Sequence, residues 1–393
     1  MDLEWLRQLY AGCGPYATVL MDATHDTENA AARERLRWRG LRAELADQGA
    51  PDDVLAQLDR AVQDATTADG DAGRVLVADT GGVLFDRLTP TSPAVPTARY
   101  GALPDLLAVA VAVPDAVRTV VVHVDETGGR VAVAGGEGRS VGGEGPVHKV
   151  PAGGPSHLSM QERVEERWRR NTAEVAAAAD EEIRKIGADL LVVTGDARSR
   201  SRLRDALSAR SVELMTEVEH TGGAEPELGD TVERAADDVR ERRNRAAIAR
   251  FAQAYGRSEG LAVTGLADVV AASRAQAVET LLVDTGALPG TELFVGAEPV
   301  AVAIRQEDLA TLGAAPIGHA AAGSALLRAA AATAADLVLT RAEGAAVRDP
   351  LDPDAVQPER SAPADSPDDV EFHRKPPPLL VDGVGAILRF PIG

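Results

Sequence analysis

The residues with the clearest chemical potential lie between His148 and Arg204. His148 and Lys149 stand just ahead of a short loop, Gly153-Gly154-Pro155-Ser156-His157. Two glycines let a backbone approach a crowded surface closely, while proline removes an N–H and stiffens the tip. Taken alone the triplet also reads as a plain turn. Its placement raises it, because it runs directly into a helix carrying Arg163, Arg167, Arg169 and Arg170. Spacings of four and three put Arg163, Arg167 and Arg170 on one side of that helix. Glu162, Glu165 and Glu166 are interleaved, so the same face also reads as a solvated, salt-bridged one. A second run, Arg198, Arg200, Arg202 and Arg204, alternates with serine and leucine and is only flanked by Asp196 and Asp205. Guanidinium forks match phosphate, so the loop and the two arginine runs predict contact with an RNA backbone.

Bond-making chemistry is not encoded at a recognisable spacing. His148 has no serine or carboxylate partner at a motif distance. His157 lies two residues beyond Pro155, and an imidazole titrates near neutral pH, but no orienting carboxylate accompanies it. Walker A, GxSxG and HExxH patterns do not occur. The step Gly135-Gly136-Glu137-Gly138 is too degenerate for a dinucleotide fingerprint and follows a hairpin strand rather than opening a helix. A single cysteine, Cys13, cannot form an internal disulfide and belongs to no Cys/His cluster. No catalytic residue, cofactor or metal site is therefore expected.

Composition bounds the rest. A chain of 393 residues should make two or three domains. Its net charge of −20 argues against a general nucleic-acid binder, because phosphate affinity comes from basic residues that release counterions; a local basic face stays open. Of the 41 basic residues only Lys149, Lys185 and Lys375 are lysine. No signal-like opening and no membrane-spanning apolar run are visible, which points to the cytoplasm and to no membrane partner.

The elements that must position these side chains fall in three segments. Residues 1–115 read as a first α/β domain, with a helix Trp5–Tyr10, a strand Tyr16–Asp22, a helix Asn29–Asp47 and a hairpin of Arg74–Asp79 and Val83–Asp86. Residues 116–222 read as a middle domain. It has strands Thr119–Asp125 and Arg130–Ala134 around the turn Thr127-Gly128-Gly129, and a mobile glycine-rich stretch 135–145. The Gly-Gly loop, a helix Ser159–Ile186, a strand Leu190–Thr194 and a helix Arg198–Leu207 follow. Residues 223–393 read as a third α/β domain. Its arginine-rich helix Asp230–Tyr255 reads as an exposed charged helix, Gly318–Ala332 as a further helix, and Ala386–Phe390 as the closing strand. Within it, residues 341–378 are dominated by proline and acid and read as a disordered insertion.

The run GGPSHLSMQERVEERWRRN, then a helix, then ADLLVVTGDARSRSRLRDAL, resembles the middle domain of the archaeo-eukaryotic peptide-chain release factors and their relative Pelota. The step Val147-His148-Lys149 before the loop is similar to that of bacterial relatives, which gives the histidine a positioning role. The opening segment, LEWLRQLYAGCGPYATVLMDATHDTENAAARERLRWRGLRAEL, resembles the actinobacterial branch of the bacterial release-factor homologues, a wider group that includes Balon-type ribosome hibernation factors. The resemblance implies three α/β domains in release-factor/Pelota-like order, with an RNase-H-like middle domain and a ribosomal-protein-like C-terminal α/β sandwich. It also implies a factor for the ribosomal A site, acting in hibernation, stress or rescue. Such a factor would contact large-subunit rRNA and the decoding centre, with elongation factor Tu or another translational GTPase as partner.

Release factors carry Gly-Gly-Gln in this loop, and the glutamine reaches the peptidyl-transferase centre. Here Pro155 stands in its place, and the first domain has no Asn-Ile-Lys-Ser codon-reading motif. Peptide release and stop-codon reading are therefore not expected. The expected RNA-binding residues are His148, Lys149, Gly153, Gly154, Pro155, Ser156, His157, Arg163, Arg167, Arg170, Arg198, Arg200 and Arg202. Two other readings stay open: a peptidyl-tRNA hydrolase or nuclease acting on ribosomal or tRNA substrates, and a stress-linked interaction protein that does not bind ribosomes.

Overall fold

In the computed structural model, two compact units form: residues Asp115–Ala246 make one, and Met1–Pro114 together with Ala247–Gly393 make the other. The structure describes residues 1, 3–12, 14–24, 30–64, 72–136, 138–142, 156–219, 225–257, 259–288, 290–311, 313–340 and 380–392, and gives only the backbone for 30–33, 156–164 and 225–227.

The opening segment places a 3-10 turn, Glu4–Tyr10, ahead of β1 (Tyr16–Asp22), α1 (Ala30–Asp47), α2 (Asp52–Gln63), β2 (Gly73–Asp79), β3 (Gly82–Thr89), β4 (Thr97–Gly101) and α3 (Leu106–Ala112). Its strands form an antiparallel sheet in the order β3-β2-β1-β4. Strand alternation assigns its two faces. Ala17, Val19 and Met21 pack with Leu41, Leu45, Leu55 and Leu58 of α1 and α2. Leu20, Val75 and Val77 point the other way, into a core shared with Leu6, Leu9, Val109 and the C-terminal segment.

The next unit holds β5 (Thr119–Val124), β6 (Gly128–Val133), β7 (Arg139–Gly142), α4 (Ser156–Ile186), β8 (Leu190–Gly195), α5 (Ala197–Ala206), α6 (Ala209–Leu214), β9 (Met215–Glu217) and the first part of α7 (Glu225–Gly256). Its strand order is β7-β6-β5-β8-β9. The first three strands are antiparallel, and β5, β8 and β9 are mutually parallel. This is the RNase-H-like order that the resemblance implies. Val120, Val122, Val124, Leu191 and Val193 face α4 and α5 through Val175, Ala179, Ile183 and Leu203. Leu190 and Val192 face α7 through Ala235, Ala236 and Val239. The helix α4 stops at Gly187, whose φ of +60° suits glycine, with the Ala188 N–H donating back to the Ile183 carbonyl.

The remaining segment holds β10 (Ala262–Thr264), α8 (Leu266–Arg274), β11 (Val278–Asp284), β12 (Glu292–Gly296), β13 (Val302–Ala303), α9 (Gln306–Thr311), β14 (Pro316–Ala321), α10 (Ala322–Ala332), β15 (Asp336–Thr340) and β16 (Val384–Leu388). Two sheets result, β10-β16-β11-β15 and β13-β12-β14. Helix α10 is buried along most of its length, in the core that also receives Leu6, Leu9 and Leu106. Both units are thus mixed α/β structures.

Three details differ from the sequence reading. Residues 225–246, grouped there with the third segment, lie in the unit Asp115–Ala246, because the apolar face of α7 closes the sheet over Leu190 and Val192. Arg139–Gly142, read as part of a mobile stretch, is strand β7, paired with β6 from Gly128↔Gly142 to Val131↔Arg139. The first residues of the expected helix Gly318–Ala332 are strand instead, since His319 and Ala320 pair with Phe294 and Leu293. In this last case sheet pairing overrides the helical propensity of an alanine-rich run.

Asp189 fastens the entry to β5 and β8 against α7. It accepts from the Arg118 backbone N–H at 3.1 Å and from Arg118 Nε and Nη2 at 3.1 and 3.2 Å, and it pairs with Arg243 Nη2 at 2.5 Å. Burial pushes its carboxyl up, but the Arg118 hydrogen bonds and the Arg243 and Arg118 charges outweigh burial and hold it below the ordinary carboxylate value. A depressed carboxylate contributes stability above its unfolded value, and that contribution is lost as pH falls through the folded value. Asp189→Asn is therefore expected to lower stability by about 1–2 kcal/mol at neutral pH. In urea titrations across pH, its difference from wild type should shrink below about pH 4. A difference that stays constant into acid would contradict this role.

Candidate nucleic-acid interface

The sequence of α5 contains its own division of labour. Residues two apart in a helix lie on nearly opposite faces, whereas residues four apart share one. Arg198 and Arg202 therefore face one way, and Arg200 and Arg204 the other. Asp196 starts the helix by accepting from the Arg198 and Ser199 N–H groups. These hydrogen bonds, led by Ser199, hold its carboxyl below the ordinary value against burial.

Arg198 and Arg202 reach Trp168 on α4, with guanidinium carbons 5.6 and 5.0 Å from the ring centroid. Both distances suit a cation–π contact. Arg198 is exposed, and Trp168 and Arg202 are half-buried. Arg167, Arg169 and Arg170 are exposed beside Trp168. Among the described residues, no carboxylate pairs with Arg167, Arg169, Arg170, Arg198 or Arg202.

Arg200 differs from its neighbours in the run. It is buried, its Nε pairs with Glu217 at 3.2 Å, and its Nη1 donates to the carbonyls of Gly195 at 2.8 Å and Val218 at 3.3 Å. Arg204 pairs with the same Glu217 at 2.5 Å. The even alternation of the run hides this difference. The Arg200 guanidinium is consumed in tying α5 to β8 and β9, and it is not offered to a ligand.

Ser156, His157 and Arg163 lie in the first turns of α4, where only the backbone is described. His148, Lys149, Gly153, Gly154 and Pro155 and the insertion 341–378 lie outside the described residues. The arginines of α7 are mostly engaged. Arg240 pairs with Glu233 and Asp237, Arg243 with Asp115 and Asp189, Arg245 with Glu241, and Arg250 with Glu279.

Two carboxylates stand at the carboxyl edge of the parallel strands, where a nuclease could use them. Asp125 accepts from Thr127 N and Oγ1 and from Gly128 N, at 2.7, 2.7 and 3.0 Å. Burial raises its carboxyl and these hydrogen bonds lower it further, so it stays ionised as a turn anchor. Asp196 is the cap of α5. Among the described residues no group of three or more His, Cys, Asp or Glu is placed to hold a metal ion. His123 Nδ1 lies 3.0 Å from Thr194 Oγ1 on the neighbouring strand, a pair that no motif spacing announces. Trp168 was likewise absent from the expected site, although an aromatic among arginines in RWRRN is the signal that marks it.

An RNase-H-like strand order with arginine-bearing helices α4 and α5 defines a fold class, and the known proteins narrow it. The family described as bacterial archaeo-eukaryotic release factor family 2 matches residues 118–257. Uncharacterized protein Rv2629 of Mycobacterium tuberculosis (strain ATCC 25618 / H37Rv) is 32% identical over 353 residues, covering 84% of this chain and 92% of that protein. Uncharacterized protein MT2704 of strain CDC 1551 / Oshkosh matches to the same extent. Archaeal Pelota, from a structure of ribosome-bound Pelota and ABCE1, covers 100% of this chain and 95% of its own at 15% identity and a TM-score of 0.40. The archaeal translation termination factor aRF1 covers 98% and 96% at 15% identity and a TM-score of 0.23. The chain belongs to the bacterial archaeo-eukaryotic release factor family. Among the described residues no helix is long and apolar enough to cross a membrane.

Proposed function

We propose that this protein is a ribosome-associated factor that occupies the A site in hibernation, stress or rescue and does not release peptide. The observation that carries the reading is the arginine-rich surface of α4 and α5. On a chain with a net charge of −20, Arg167, Arg169, Arg170, Arg198 and Arg202 keep their charge free of described carboxylates. Such a surface suits a phosphate backbone. Membership of a release-factor family supports rRNA as the source of that backbone, with elongation factor Tu or another translational GTPase as a delivery partner and the cytoplasm as the setting. His148, Lys149 and residues Gly153 to His157 are proposed to share in the rRNA contact. Asp125 and Asp196 are engaged as anchors of backbone, which favours binding over a nuclease reading.

The absence of release follows from Pro155, which has no polar group to position water beside an ester carbonyl. Incubation with ribosomes carrying peptidyl-tRNA is expected to give no peptide release above the uncatalysed rate for wild type and for His157→Ala. Robust wild-type release abolished by His157→Ala would replace this reading with a hydrolase.

A further inference from the structure

Each of the three tryptophans has a different setting. Trp38 is buried with its indole N–H donating to Asp59 at 2.8 Å, and Trp5 is partly buried, packed against a core and tilted against Phe85 at 5.8 Å. Trp168 stays half-exposed, between Arg167 and Arg169 in sequence and under the guanidiniums of Arg198 and Arg202. An aliphatic residue would suffice to seat α5 on α4. A large π-face held beside cations that have no carboxylate partner among the described residues is what a nucleobase needs, because bases stack on tryptophan and on guanidinium planes alike.

We infer that Trp168, Arg198 and Arg202 form a stacking platform for an unpaired RNA base, with Arg167 and Arg169, which flank the ring on α4, holding the adjoining phosphates. This rests on the RNA-facing reading above and adds a ligand class to it. Charge complementarity selects RNA, since Arg167, Arg169, Arg198 and Arg202 have no carboxylate partner among the described residues of a strongly acidic chain. The aromatic selects a base out of its stack, because a duplex buries its base faces. Arg198 and Arg202 arise one turn apart on α5, so their contacts with the ring also fix the angle between α5 and α4 at the platform.

The test uses the full-length protein with two probes, an oligoadenylate and an RNA duplex of equal length. The Trp168 emission is the difference between wild type and Trp168→Phe. Oligoadenylate should quench that component saturably and the duplex should not. Trp168→Ala should weaken oligoadenylate binding about tenfold, and Trp168→Phe by no more than about threefold. Unchanged Trp168 emission at saturating oligoadenylate, or full affinity in Trp168→Ala, overturns the platform. If Trp168→Ala does not fold, the emission of the wild-type protein decides alone. Ribosome co-sedimentation of the same preparations separates the two claims. Quenching without ribosome binding refutes the ribosomal reading and leaves the platform standing. Ribosome binding without quenching does the reverse.

Discussion

Gly195→Ala is expected to destabilise the chain by about 3 kcal/mol or more, the largest effect of any single methyl group in the unit that carries the basic face. Gly195 ends β8 with φ of +120°, a conformation that side chains rarely adopt. A Cβ there would fall on the Val124 carbonyl oxygen of the parallel neighbour β5. Backbone cannot swing aside as a flexible side chain can, so the β5–β8 pair must separate. The same residue gives its carbonyl to Arg200 and precedes the Asp196 cap, so its displacement also moves α5. Thermal denaturation of the full-length variant should show a melting temperature lower by several degrees. A wild-type melting curve would mean that the strand ends are not held as described.

The second large effect concerns binding and separates two residues that look alike in sequence. Replacing Arg198 and Arg202 by alanine should leave the fold intact and weaken ribosome binding about tenfold or more. It should also make the dependence of log affinity on log salt shallower, because two positive charges leave the RNA-facing surface. Arg200→Ala should instead lower stability by about 2–3 kcal/mol. It leaves the Gly195 carbonyl short of a donor in a buried place and removes the Arg200 contacts to the Val218 carbonyl and to Glu217. Filter-binding titrations at several salt concentrations, run beside urea melts, check both. Equal loss of binding in the two variants at equal stability would refute the assignment of α5 to two faces.

The contrast shows what the sequence makes legible. Long periodic segments with clear ends were readable, among them β1, β5, the long α4 stopped by Gly187, and β8. Short edge elements such as β4, β7 and β9 were obscured, because three to five residues carry too little pattern and owe their state to a partner strand. The boundary near residue 222 was obscured for a related reason. A charged helix such as α7 looks solvated in sequence, and only packing shows Ala235, Ala236 and Val239 closing a sheet. At the site, arginine spacing located the basic face, and helical geometry applied to α5 already separates Arg200 from Arg198 and Arg202. What spacing could not supply is the identity of the partners, Glu217 for one pair and Trp168 for the other, since both are distant in the chain.

The central claim is occupation of the A site, and competition measures it most directly. Ribosomes are prepared with the A site vacant or filled by tRNA, mixed with the full-length protein, and separated on a sucrose gradient. The protein is expected to migrate with vacant ribosomes and to stay at the top of the gradient when tRNA fills the site. Equal co-migration with both preparations, or none with either, would contradict the account.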